Sequence, residues 1–144
     1  MNWQYQFCNK CNSIILKMRV KIIHGLGNHL ILDGFAEGDL DSEEFVKSLL
    51  VDCVYEVGMK VISKPLVLNY DAEDESESGV TGVIVLAESN ITIHTYPKKK
   101  YFCFDLFSCN EFDIDHVINF LNKKLGLSKC EIKLLKRGLY DERD

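Results

Sequence analysis

Apolar residues recur along this chain with two periods, and the switches between them predict its elements. Val20–Ile23 and His29–Leu32 read as two short strands, separated by the turn residues Gly25, Leu26, Gly27 and Asn28. Asp41 followed by Glu44 has the spacing of a helix capping box. Behind it Phe45, Leu49 and Cys53, with Val46, Leu50 and Val54, repeat at helical intervals up to Gly58. Val61–Leu68 and Val80–Ala87 are apolar enough for strands. Ile91–Tyr96 and Tyr101–Phe107 are β-rich runs joined by a short turn at Pro97–Lys100. Within residues 110–125, Ile114, Val117, Ile118, Leu121 and Leu125 form one stripe that stops at Gly126, a second helix. Cys130, Ile132 and Leu134 then alternate with Glu131, Lys133 and Leu135. Strands, helix, strands, helix and strand in that order predict an α+β two-layer sandwich, a mostly antiparallel sheet with two helices on one face. Residues 1–18 lack such periodicity and precede Met18, an alternative start, so they read as a disordered N-terminal extension to a single domain over 19–144. The two halves of that domain share only a loose similarity, and no linker divides them.

Composition narrows the class. A chain of 144 residues that is 47% hydrophobic can build a core, and no segment has the apolar length of a membrane span. The net charge is −5 and the basic run is Lys98, Lys99 and Lys100, which argues against nucleic acid as a partner. There are six cysteines but no signal-peptide pattern, so reduced thiols in the cytoplasm are expected. Cys8 and Cys11 form a CxxC with no second ligand pair at the right spacing, and no metal is expected. The acidic run Asp71–Ser78 reads as a solvated loop.

The chemistry concentrates in Leu86–Pro97, where a hydroxyl, an imidazole and a Glu-Ser peptide bond interrupt a β-branched run. A four-residue turn at 97–100 places Ser89 opposite Ser108 and Glu88 opposite Cys109; a five-residue turn places Ser89 opposite Cys109 itself. Opposed residues have Cα atoms about 4.5–5.5 Å apart. Either register brings the Glu88–Ser89 bond beside the Cys109 thiol. In a regular strand Ser89 and His94 point to opposite faces, so convergence within one strand requires an irregularity.

These residues resemble the prokaryotic S-adenosylmethionine decarboxylase family, whose signature reads approximately ESH-x-x-IHTWPE followed by FTCG. The chain has Glu88-Ser89-Asn90-Ile91-Thr92-Ile93-His94-Thr95-Tyr96-Pro97-Lys98 and Phe107-Ser108-Cys109-Asn110, with the same Ser-to-His and Ser-to-Cys intervals. Leu26–Ile31 and Gly79–Gly82 extend the similarity from about residue 19 onward. The resemblance implies a proenzyme that cleaves itself between Glu88 and Ser89 and leaves a covalently bound pyruvoyl group, made from Ser89, as its cofactor. It implies that His94 is the base for the elimination step, with Thr81 supporting it where the family has a serine. The pyruvoyl carbonyl would form a Schiff base with an amine substrate and act as electron sink for decarboxylation, a step of polyamine biosynthesis. Cys109 would return the proton to the α-carbon, a task suited to a thiol, whose ordinary pKa of about 8.5 keeps it protonated at neutral pH. Family sites lie at a subunit interface, so a homodimer of processed protomers is expected, with Glu75 or its neighbours supplied across it.

Three departures fall on substrate-facing positions. Glu75 aligns with the family's adenine-stacking phenylalanine, Lys98 with a glutamate that grips the ribose, and Asn90 with a histidine. Loss of an aromatic shelf removes a contact worth about 1–3 kcal/mol in nucleic-acid systems. With an acidic loop nearby, these changes lead us to expect a basic amino acid, arginine or ornithine, as substrate, with S-adenosylmethionine as the alternative. Two other readings are a regulatory relative that no longer processes and a non-catalytic small-molecule-binding module.

Overall fold

A computed structural model describes residues 3–8, 13–18 and 24–139. Its elements are β1 (Trp3–Cys8), β2 (Ser13–Met18), β3 (His24–Ala36), α1 (Glu43–Val57), β4 (Leu66–Tyr70), β5 (Gly79–Val85), β6 (Ser89–Tyr96), β7 (Tyr101–Ser108), α2 (Ile114–Leu125) and β8 (Leu127–Leu139). The strands form one sheet in the order β1-β2-β8-β3-β7-β6-β5-β4. Its pairs are antiparallel except β2 with β8. With α1 and α2 packed on one face, the architecture is the expected α+β sandwich.

The two-residue period decides which side chains meet the helices. On β7, Phe102, Phe104, Leu106 and Ser108 are buried while Tyr101, Cys103, Asp105 and Phe107 are half-exposed on the other face. On β6, Ile91, Ile93 and Thr95 turn inward. Against them α1 buries Val46, Leu49, Leu50, Cys53 and Val54, and α2 buries Val117, Ile118, Phe120, Leu121 and Leu125. Each fully buried Leu, Ile or Phe contributes about 1.5–3 kcal/mol, so this layer supplies the main drive for folding. Burial, with Glu56 adding a smaller effect, pushes the Cys53 thiol up to about 12; it is a core hydrophobe.

Five expectations need correction. Within the segment expected to be a disordered extension, Trp3–Cys8 and Ser13–Met18 pair as β1 and β2, and β2 meets β8 at Leu16 and Lys133. Residues 25–28 are not a turn, because β3 runs unbroken from His24 with a register shift against β8 between His24 and Gly27. Gly27 serves close approach instead: a Cβ there would lie 2.3 Å from the Phe107 ring and 2.6 Å from the Ser108 carbonyl oxygen. The α1 cap is Ser42, whose hydroxyl accepts from the Phe45 amide at 3.1 Å; Asp41 stands one residue too early. Val61–Leu68 is no single strand, since Val61 makes one bridge to Leu86 and β4 starts only at Leu66, after Pro65, which has no amide hydrogen to give a ladder. The second helix begins at Ile114, where the Asp113 carboxylate accepts from the His116 amide. The strand expected at Val20–Ile23 and Cys11 of the CxxC lie outside the described residues.

Candidate active site

The Glu88–Ser89 bond lies where β5 turns into β6. The connection is only Leu86, Ala87 and Glu88, and it is held at three backbone points. The Leu86 amide donates to the Ser89 carbonyl (2.9 Å), the Ala87 amide to the Lys60 carbonyl (2.9 Å), and the Cys109 amide to the Glu88 carbonyl (3.0 Å). That last bond follows from register. Tyr96 faces Tyr101 across a 3-10 turn at Pro97–Lys99, closed by Lys100 in the left-handed region (φ 50°), and Ser89 therefore faces Ser108. This is the four-residue alternative, which carries Glu88 to Cys109. Ser108 is fully buried and its hydroxyl accepts from the Asn110 amide (2.9 Å); the Asn110 side-chain amide donates to the Glu88 carboxylate (3.0 Å). The Cys109 side chain is exposed.

The Ser89 hydroxyl donates to Met59 Sδ at 2.9 Å. Met59 follows Gly58, the left-handed cap of α1, so the serine points toward the helix layer. In the sequence nothing marked Met59, thirty residues away, as a neighbour. His94 points to the other face, where its Nδ1 lies 2.9 Å from the Thr81 hydroxyl, directly across the β5–β6 pair. Five strand residues at about 3.3 Å each separate Ser89 from His94 by roughly 16 Å of sheet. No bulge brings them together, since the β6–β7 register is unbroken from Ser89 to Tyr96.

Glu75 and Lys98 form an ion pair at 3.5 Å and border an open cleft of about 430 Å³ that Asp41 and Asp71 also line. The cleft opens beside Pro97, at the end of β6 remote from Ser89. The site residues read from the sequence thus fall into two groups. One holds Glu88, Ser89 and Cys109; the other holds Thr81 and His94, with Glu75 and Lys98 beyond them. Cys103 is paired with His94 across β6–β7, but burial, then a hydrogen bond to Asp33, pushes its thiol upward and keeps it protonated. Thr95 was part of the motif without an assigned role. It is buried, donates to the Leu40 carbonyl (2.7 Å) and accepts from the Val80 amide (2.9 Å). Among the described residues no cluster of His, Cys, Asp and Glu has the makings of a metal site, and no helix is long and apolar enough to cross a membrane.

Comparison with known proteins places this geometry among relatives. A sequence model of the S-adenosylmethionine decarboxylase family matches residues 28–138. The chain is 35% identical over 119 residues to an S-adenosylmethionine decarboxylase proenzyme of Methanococcus maripaludis, covering 81% of this chain and 93% of that protein. It is 30% identical over 123 residues to one of Caldicellulosiruptor saccharolyticus, covering 83% and 94%. The crystal structure of the adenosylmethionine decarboxylase from Aquifex aeolicus shares the fold, with a TM-score of 0.65 at 24% identity, over 83% of this chain and 96% of that one.

Proposed function

This chain belongs to the S-adenosylmethionine decarboxylase family, and from that membership we propose a proenzyme whose 19–144 domain cleaves itself at Glu88–Ser89 and then acts as a pyruvoyl-dependent carboxy-lyase on S-adenosylmethionine. The observation that carries the reading is the Cys109 amide on the Glu88 carbonyl, in the loop that also bears the candidate thiol.

Processing begins when the Ser89 hydroxyl leaves Met59 and its oxygen attacks the Glu88 carbonyl carbon. Charge then develops on the carbonyl oxygen, where the Cys109 N–H already donates. The carbon–nitrogen bond breaks, the Ser89 nitrogen takes the proton the hydroxyl lost, and an ester remains. A base removes the Ser89 α-hydrogen, the bond from Cβ to the ester oxygen breaks, and Glu88 departs as a carboxylate. Tautomerisation and water then release ammonia and leave a ketone at position 89. The residues fit such a group. Ser89 is half-buried at a strand end and its carbonyl neighbour is fixed, so a new chain terminus can separate without tearing the sheet. When formed, the pyruvoyl group supplies a carbonyl that takes up the substrate amine and accepts the electrons released with carbon dioxide. Cys109, exposed beside it, holds the proton the product carbon needs.

His94 suits the role of base, with Thr81 fixing its ring through Nδ1. In one chain it is on the wrong face and about five residues too far. A second copy whose Thr81 and His94 met Ser89 and Cys109 of the first would supply the missing base, and two-fold symmetry would then give two identical sites. We take the working unit to be that dimer, with a small-molecule amine as its substrate.

For substrate, the relatives favour S-adenosylmethionine, itself a cation through its sulfonium and amine, which suits a cleft where Asp41, Asp71 and Glu75 outweigh the Lys98 cation paired with Glu75. Glu75 in place of an aromatic shelf keeps arginine or ornithine as the second reading. Release of labelled carbon dioxide from S-adenosylmethionine, arginine, ornithine and lysine, measured side by side, decides between them. The processing claim is checked on a denaturing gel with mass spectrometry: natively expressed protein should give fragments 1–88 and 89–144, and Ser89→Ala should give one intact chain. A single wild-type band with an unmodified serine would leave the regulatory or binding-module reading in its place.

A further inference from the structure

The Asn110 side chain has no part in the scheme above, yet it touches the residue on the carbonyl side of the bond to be cut. Its amide nitrogen donates to the Glu88 carboxylate at 3.0 Å, while its own backbone amide is anchored on the buried Ser108 hydroxyl at 2.9 Å. Next to it in the chain, the Cys109 amide holds the Glu88 carbonyl at 3.0 Å. Glu88 is therefore gripped at its backbone by one residue of this loop and at its side chain by the next. Both contacts come from the two residues that follow β7, whose last residue, Ser108, is paired with Ser89 across the sheet. The FTCG signature has a glycine at this place, and a glycine offers no side-chain donor.

We propose that Asn110 is a positioning residue for self-cleavage, holding the Glu88 side chain so that the scissile carbonyl stays on the Cys109 amide while Ser89 attacks. The inference rests on cleavage at Glu88–Ser89. Without the side-chain grip, rotation about the Glu88 backbone costs less, and the carbonyl spends less time on the donor that steadies its charge in the transition state. A lost contact of this kind slows cleavage about two- to tenfold.

The test follows fragment formation with time after a burst of synthesis, for wild type, Asn110→Ala and Asn110→Asp, from pH 5 to pH 8, with thermal melting of each intact chain as the control for folding. Asn110→Ala should be slower than wild type by a similar factor at every pH. Asn110→Asp sets a second carboxylate against Glu88; it should be the slowest chain at pH 8 and approach wild type near pH 5, where one shared proton restores the bond. A general loosening of the fold gives no such pH-dependent recovery. Both variants matching wild type throughout, or Asn110→Asp slowed by the same factor at pH 5 as at pH 8, would overturn the role of Asn110 while leaving cleavage intact. A wild-type chain that never fragments overturns both.

Discussion

Thr95 shows how one side chain inside a functional motif serves the fold. Its hydroxyl ties the loop before α1, through the Leu40 carbonyl, to the start of β5, through the Val80 amide, and all of this is buried. Thr95→Val keeps the shape and leaves these backbone groups unpaired, so we expect a loss of about 1–3 kcal/mol, read as a lower Tm. The cysteines divide by the same logic of burial. Cys109 is exposed, whereas Cys53 is enclosed and its thiol is held far from ionisation. A thiol reagent at neutral pH should modify Cys109 in the folded protein and reach Cys53 only after denaturation, as peptide mass mapping will show. Cys109→Ala should leave fragmentation largely in place, since the amide on the Glu88 carbonyl remains, and should lower turnover of the processed enzyme. A variant that cleaves and turns over like wild type would remove the thiol from the mechanism.

At the scale of elements, the β5–β6–β7 meander positions the chemistry, and its tightness is set by glycine. A Cβ on Gly79 would lie 1.9 Å from the Thr95 carbonyl oxygen, a backbone atom that cannot swing aside. Gly79→Ala should therefore cost about 1–3 kcal/mol through forced separation of β5 from β6. Urea unfolding would register it as a lower midpoint, and an unchanged midpoint would mean the strands give more easily than their spacing indicates. This meander was legible in the sequence to within one step of register, because Pro97 and the three lysines mark the turn and a turn of four or five residues brings the Glu88–Ser89 bond beside Cys109; only the structure selects the four-residue turn. The opposite orientations of Ser89 and His94 were equally legible, since the strand period is two. The unbroken start of β3 was hidden, because Gly27 is chosen for contact with Phe107, and glycine in a sequence does not reveal whether it bends a chain or admits a neighbour. Met59 and Asn110 were hidden for a different reason. Each meets the cleavage bond only through tertiary packing across 30 and 22 residues.

At the scale of the whole molecule, the sheet face away from the helices exposes several large apolar side chains. On β4, Leu66 and Leu68 are each 56% exposed and Tyr70 64%, with Val85 and Phe35 also open to solvent. Exposed apolar residues gathered on one face mark an association surface, and Thr81 and His94 stand on this same face. If the site forms between two protomers, processing can be divided between two defective chains. A Ser89→Ala chain keeps its His94 but has nothing to cleave; a His94→Ala chain keeps its Ser89 but lacks the base. Expressed separately, neither should fragment at the wild-type rate. Expressed together at equal levels, about half of the dimers are mixed. In each of these, one site has both a serine and a histidine, and only the His94→Ala chain is cut there. Mass spectrometry distinguishes the two chains by their substitutions, so the prediction is asymmetric as well as positive. Fragments derived from the His94→Ala chain alone support a shared site. Absence of fragments in the mixture, with mixed dimers shown to be present, would mean that Ser89 and His94 serve each other within one protomer and that the strand must rearrange to let them meet.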